Sequence, residues 1–159
     1  MYISARSDYA VRALLTLAAS DGSAMTGEAL AESQQLPVRY VENTLVDLRR
    51  AGLVTSQRGR DGGYRLARPA GEIAVADVVR ALEGPLAEVN GMRPEDSVYE
   101  GPAERLQDVW VAVRAALRLV LESVTLADIV DGNLPAPVTE LLSRPDAWVP
   151  RPLGPTGPT

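Results

Sequence analysis

Between residues 36 and 66 six arginines stand against Glu42, Asp47 and Asp61, a local net charge of +3 in a chain whose formal net charge is −5. Arg39, Asn43, Asp47 and Arg50 follow one another at steps of four, four and three, with Tyr40 beside them, so they share one helix face. Arg58 and Arg60 flank Gly59, and Gly62 and Gly63 follow at once. A guanidinium presents a fork of donors that matches phosphate oxygens and the O6/N7 edge of guanine, and every basic residue here is arginine. The chemistry these residues support is recognition of an anion, not bond making. Cysteine and histidine are both absent. That excludes disulfides, the usual zinc sites, thiolate-held iron–sulfur clusters and Cys–His or Ser–His–Asp catalysis. No catalytic residue, metal or cofactor is therefore expected, and the glycines are not a nucleotide loop, because no GK[ST] follows them.

These side chains need a helix and a hairpin to hold them. Val41, Leu45 and Leu48 fall at i, i+4 and i+7 and should face a core; Pro37 suits the first helical position and Gly52 the left-handed residue after the last turn. Residues 53–57 and 64–67 have the composition of two short strands, with the glycines between them supplying positions where positive φ costs little. Upstream, Ser4 can cap a helix over residues 5–19 and Thr26 one over 27–34, with Glu28 placed well for the helix dipole. Three helices followed by a hairpin predict a winged helix-turn-helix. On that frame Arg39 can reach guanine in a major groove, Arg49 and Arg50 meet phosphates, and Arg58 and Arg60 point toward a minor groove.

The rest of the chain reads differently. Residues 1–70 carry nine arginines and seven acids, and residues 71–159 seven arginines and fourteen acids, so the charge runs from +2 to −7. Phenylalanine is absent, and Ala, Leu and Val dominate an apolar fraction of 46%, which suits packed helices. Val75, Val78, Val79 and Leu82 make an amphipathic fourth helix stopped by Gly84-Pro85. Residues 87–102 are polar, acidic and aperiodic, a loop. Its acids are expected to be solvated, although oxygen ligands of this kind also suit a hard cation. Leu106, Val109, Trp110, Val113, Leu117, Val120, Leu121 and Val124 then repeat at threes and fours over residues 103–124, which at 1.5 Å per residue predicts a helix of ~33 Å. The stripe suits either a buried helix or a dimer seam. Dimerisation is expected, because a reader of palindromic DNA needs a two-fold partner. Trp110 and Tyr99 could line a small-molecule pocket, but Trp110 on that stripe belongs with the core. Thr125 to Asp128 looks like a capping box. Residues 149–159, with four prolines, are expected to be disordered. No apolar run approaches the ~20 residues of a membrane span, and there is no leader, so a cytoplasmic protein without membrane contact is expected.

The predicted fold is mainly α with a small β-hairpin wing. A winged helix-turn-helix unit covers residues 1–84, an acidic loop 85–102, a dimerisation helix and short following helix 103–134, and a C-terminal segment 135–159. Four strings together resemble the Rrf-two family of bacterial transcriptional regulators, of the IscR, NsrR and CymR type. They are SDYAVRALLTLA, LPVRYVENTLVDLRRAGLVTSQRGRDGGYRLARP, IAVADVVRALEGPL and TLADIVDG, and the likeness spans roughly residues 1–134. The resemblance implies a homodimeric regulator, usually a repressor, on a pseudo-palindromic operator in double-stranded DNA. Carried over by position, it places Val38, Arg39, Tyr40, Glu42 and Asn43 as reader-helix contacts and Arg58, Gly59, Arg60, Gly62 and Gly63 as wing contacts. Tyr64 would hold the wing, and Ser4, Arg6 and Tyr9 would lie near phosphates.

Cluster-binding members carry three cysteines, often with a histidine, in the loop before the long helix. Here Met92, Val98, Glu104 and Gln107 stand near those places, and they cannot hold a [2Fe–2S] cluster in the usual way. The chain resembles the cluster-free branch, which includes regulators of cysteine and sulfur metabolism, and its signal would be a metabolite or a partner enzyme. The alternatives are a winged module that docks an acidic protein surface, or a small-molecule sensor with no direct operator binding.

Overall fold

The computed structural model describes residues 3–150. Ser4 turns the chain into α1 (Ala5–Ala18) by accepting the Ser7 N–H on its hydroxyl at 3.0 Å; Thr26 does the same for α2 (Gly27–Ser33) with the Ala29 N–H at 3.1 Å. Each bond satisfies a donor that a first helical turn leaves without a partner. α3 (Val38–Arg50) has no side-chain cap and begins one residue later than the sequence predicts, with Pro37 outside the first turn at φ −64. It ends at Ala51, and Gly52 follows at φ 74.

Apolar stripes of the three helices meet in one core. Leu14 and Leu17 of α1, Leu30 and Ala31 of α2, and Val41, Leu45 and Leu48 of α3 are all buried. Each such leucine contributes ~1.5–3 kcal/mol relative to an exposed one, before conformational entropy is charged against it. β1 (Val54–Gln57) and β2 (Gly63–Leu66) pair antiparallel from Val54↔Leu66 to Gln57↔Gly63. A third segment, unforeseen in the sequence, adds to β2: the Met25 N–H donates to the Tyr64 carbonyl at 3.0 Å and the Tyr64 N–H to the Met25 carbonyl at 2.7 Å. A single bridging residue has no periodicity to betray it.

A 3-10 turn at Ala70–Glu72 leads into α4 (Val75–Glu83), where Asp77 accepts the Ala74 N–H at 3.1 Å. The polar stretch that follows is less open than expected. Val89 and Met92 bond to each other's backbone, 3-10 turns form at Pro94–Asp96 and Gly101–Ala103, and Pro94 and Ser97 are buried.

α5 (Leu106–Leu121) is shorter than the predicted helix, ~24 Å instead of ~33 Å. Residues 103–105 stay in the turn before it. Val124, assigned to the apolar stripe from sequence, lies past the helix end and is buried. The reason is a strand-like return: the Val75 N–H donates to the Val124 carbonyl at 2.9 Å and the Leu126 N–H to the Ile73 carbonyl at 3.0 Å. α6 (Leu126–Val130), opened by the predicted Thr125/Asp128 capping box, packs on α1 with Leu126 in the core cluster. Within residues 103–134, α5 lies outside the core cluster and Leu126 of α6 inside it.

α7 (Ala136–Leu142), not foreseen, follows Pro135 and lies against α5. Of the expected disordered tail, residues 151–159 lie outside the described residues. No helix among the described residues is long and apolar enough to cross a membrane.

Candidate nucleic-acid interface

α3 sorts its residues cleanly. With Val41, Thr44, Leu45 and Leu48 turned inward, Val38, Arg39, Tyr40, Glu42, Asn43, Arg49 and Arg50 are exposed. Asp47 is the exception on the face drawn from sequence. It is half-buried, accepts a charged hydrogen bond from Arg6 at 2.6 Å and pairs with Arg50 at 3.6 Å. Arg39 has no acidic partner among the described residues, so its guanidinium is available to a ligand. Arg49 reaches back to the Ser56 hydroxyl at 3.1 Å, tying the end of α3 to β1.

The wing presents the other cations. Arg58 and Arg60 are exposed at its tip and have no acidic partner among the described residues. Two glycines make the tip possible. A Cβ on Gly62 would lie 2.5 Å from the Gln57 carbonyl oxygen, and one on Gly63, at φ 141, would lie 2.5 Å from the Met25 carbonyl oxygen. Both distances are well inside van der Waals contact, so a side chain on Gly62 would distort the hairpin tip and one on Gly63 would push the hairpin off the Met25 segment. Tyr64, half-buried, joins β2 to Met25 through its backbone and packs against the core.

The start of α1 is held by internal partners. The Ser4 hydroxyl donates to the Glu83 carboxylate at 2.5 Å, and the Ser7 hydroxyl donates to the same oxygen at 3.1 Å. The Ser4 bond, joined by Ser7 and the Arg6 charge and opposed by desolvation, holds the Glu83 carboxyl below its ordinary range. Arg6 donates to the Leu82 carbonyl at 2.9 Å as well as to Asp47. Tyr9 packs edge-on against Tyr40, ring centres 5.4 Å apart at 81°, with the Arg12 guanidinium 5.9 Å over its ring. The three residues placed near phosphates by resemblance therefore also lock α1 to α3 and α4. Those partners stand 31 to 79 positions apart, and nothing local in the sequence signals them.

An exposed reader helix and an arginine-tipped wing on one small helical core are the layout of a DNA-binding regulator, and comparison with known proteins settles the family. The Rrf2 family, described as an iron-dependent transcriptional regulator, matches residues 3–132. The chain belongs to it. A Mycobacterium tuberculosis protein assigned as an HTH-type transcriptional regulator is 47% identical over 142 residues, covering 89% of this chain and 88% of that protein. The solved structure of CymR, the global cysteine regulator of B. subtilis, superposes with a TM-score of 0.69 at 34% identity, over 83% of this chain and 98% of that one. The structure of T. potens IscR gives 0.67 at 33% identity, over 83% and 88%. This Rrf2-family chain is thus a helix-turn-helix transcriptional regulator with double-stranded DNA as its partner, not an enzyme.

The family description raises iron, and the residues in the loop do not fit a cluster. Met92 and Val98 project into solvent, Glu104 is exposed, and the Gln107 amide donates to the Glu95 and Ser97 carbonyls, both at 2.8 Å. Val98 has no donor atom, and Gln107 presents hydrogens where a ligand needs a lone pair. No group of three or more His, Cys, Asp or Glu side chains suited to a metal occurs among the described residues. On α5, no residue is fully buried. Leu106, Trp110, Val113, Leu117, Val120 and Leu121 of the expected stripe are half-buried and Val109 is exposed. The Trp110 indole N–H is enclosed without an acceptor among the described residues.

Proposed function

We propose that two copies of the chain pair along α5 and present their α3 helices to a pseudo-palindromic operator, repressing the genes behind it. Arg39 would read a base edge, Arg49 and Arg50 the backbone, and Arg58 and Arg60 the flanking minor groove. The observation that carries this reading is the pair of features on the basic island. α3 exposes Val38, Arg39, Tyr40, Glu42 and Asn43, and the wing tip holds two arginines with no acidic partner among the described residues. The apolar stripe on α5, only half-covered within one chain, supports the dimer.

The sensing half works without an iron–sulfur cluster in this reading, because the chain has neither cysteine nor histidine and its loop supplies no substitute donors. Likeness to CymR supports a role in cysteine or sulfur metabolism, with a metabolite or partner enzyme as the signal. A regulator of this kind acts in the cytoplasm, where the chromosome is. The test is fluorescence anisotropy with DNA from the promoter upstream of the gene, across a salt series. Arg39→Ala and Arg58→Ala should each weaken binding by ~1–3 kcal/mol and flatten the salt dependence. Unchanged affinity in both variants would remove the reader and wing assignment and favour a protein-docking module.

A further inference from the structure

The acidic half of the chain collects its arginines in one place. Of the seven arginines beyond residue 70, four (Arg80, Arg93, Arg114 and Arg118) line a single cavity of about 300 Å³. It lies between α4, the 85–95 segment and α5, with Pro85 and Leu86 as its apolar wall. Arg114 and Arg118 stand four apart on α5 and so point the same way, beside the apolar stripe and not on it.

Their counter-charges are few. Glu95 pairs with Arg114, whose side chain is only 13% exposed, and Glu122 pairs with Arg80 and, at 3.8 Å, with Arg118. Glu88 also lines the cavity, and Arg93 has no ion pair among the described residues. The four cations and these three acids leave a surplus of one positive charge, inside a half of the chain whose net charge is −7. The surrounding walls are also strained, since Ala87 sits at φ 55, a conformation that side chains avoid unless the fold requires it.

We propose that this cavity is the effector site of the regulator and takes a small organic dianion, one acidic group replacing Glu95 on Arg114 and the other meeting Arg93 and Arg118. The volume sits at the small end of metabolite pockets. Glu95 already shows that a carboxylate fits against Arg114, with its own backbone N–H and that guanidinium holding the group ionised. Releasing Glu95 has a structural consequence. It belongs to the Pro94–Asp96 turn whose neighbouring carbonyls hold Gln107 of α5. The opposite wall is α4, which carries Arg80 into the cavity and gives the Leu82 carbonyl to Arg6, itself bonded to Asp47 of the reader helix. The site therefore touches both the dimer helix and the element that seats the reader.

This inference rests on the reading of the chain as an effector-controlled regulator, so binding and DNA response are measured separately. Isothermal titration of the full chain with succinate, with citrate and with 3-phosphoglycerate, against acetate at equal ionic strength, separates carboxylate from phosphate ligands and dianions from monoanions. One of the multivalent anions should bind saturably, one per chain, and Arg114→Gln should weaken it by about tenfold or more. Arg93→Gln, at an exposed position that makes no salt bridge among the described residues although its charge acts on Glu95, should weaken it severalfold with the fold intact by circular dichroism, and Glu95→Gln should strengthen it. No saturable binding beyond that of acetate, or binding indifferent to Arg93→Gln, overturns the site. Saturable binding that leaves operator affinity unchanged overturns its effector role. Absence of operator binding by the ligand-free chain, with ligand binding retained, counts against the operator reading and leaves the site standing.

Discussion

The helices around the reader and the helix proposed to pair two chains are built on opposite plans. α1, α2, α3 and α4 each bury residues in a shared core, and the charges between them are matched internally: Arg6 with Asp47, Ser4 and Ser7 with Glu83. α5 is the longest helix and buries none of its sixteen residues fully. Its apolar side is half-covered, and its arginines converge on a cavity with too few acids. The first plan makes a rigid platform from one chain. The second leaves surface and charge to be completed from outside, which is where a regulator's partner and signal have to enter.

The sharpest way to break this contrast is to attack the core from its far end. Leu126→Ala removes a fully buried side chain that sequence order places with α5. It should cost ~2–5 kcal/mol in denaturant unfolding, as a core leucine does; a cost near zero would place α6 outside the platform. Next comes the wing. Gly63→Ala sets a Cβ 2.5 Å from the Met25 carbonyl oxygen and should cost ~1–3 kcal/mol, with a larger proportional loss of operator binding than of helix content. If the variant keeps full affinity, the wing's seat on Met25 is not needed for recognition.

On α5 a charge should act on assembly and leave the platform standing. Leu117→Glu is expected to reduce the mass by light scattering to that of one chain, while circular dichroism keeps its helical signal. A dimer that survives would move the seam elsewhere. The smallest effect is that of pH. Glu83 has its carboxyl held below the ordinary value of 4.5, so its contribution is fully present above that value and is lost as pH falls through the lower folded value. Unfolding free energy should therefore decline as pH falls below the ordinary value of 4.5, and the decline should be shallower in Glu83→Gln. Equal slopes in the two proteins would show that the Ser4–Glu83 bond adds nothing to the platform.

The platform was largely legible and the excursion was not, for physical reasons. Ser4, Thr26 and Thr125 announce helix starts because capping is a local interaction, and the glycines of RGRDGGYRL announce a hairpin for the same reason. The inward set Val41, Leu45, Leu48 follows from helical periodicity alone. The Met25 bridge, the Tyr9–Tyr40 pair and the bonds from Arg6 to Asp47 and Ser4 to Glu83 join residues far apart in the chain, so no local pattern encodes them. The same holds for the arginine cavity. Only Arg114 and Arg118 share a readable spacing, and nothing local in the sequence brings Arg80 and Arg93 to them. The apolar period runs on past the end of α5 through Val124, where the bonds from the Val75 N–H to the Val124 carbonyl and from the Leu126 N–H to the Ile73 carbonyl turn the chain inward.

That diversion bears on how the protein is made. Leu126 completes a core cluster otherwise assembled from residues 10–82, and Val124 beside it is buried as well. During synthesis the N-terminal helices emerge first, but the domain that contacts DNA lacks two of its buried side chains until the whole of α5 has been translated. A message truncated before codon 126 is therefore expected to yield an unstable fragment, not a regulator that holds DNA without its C-terminal half.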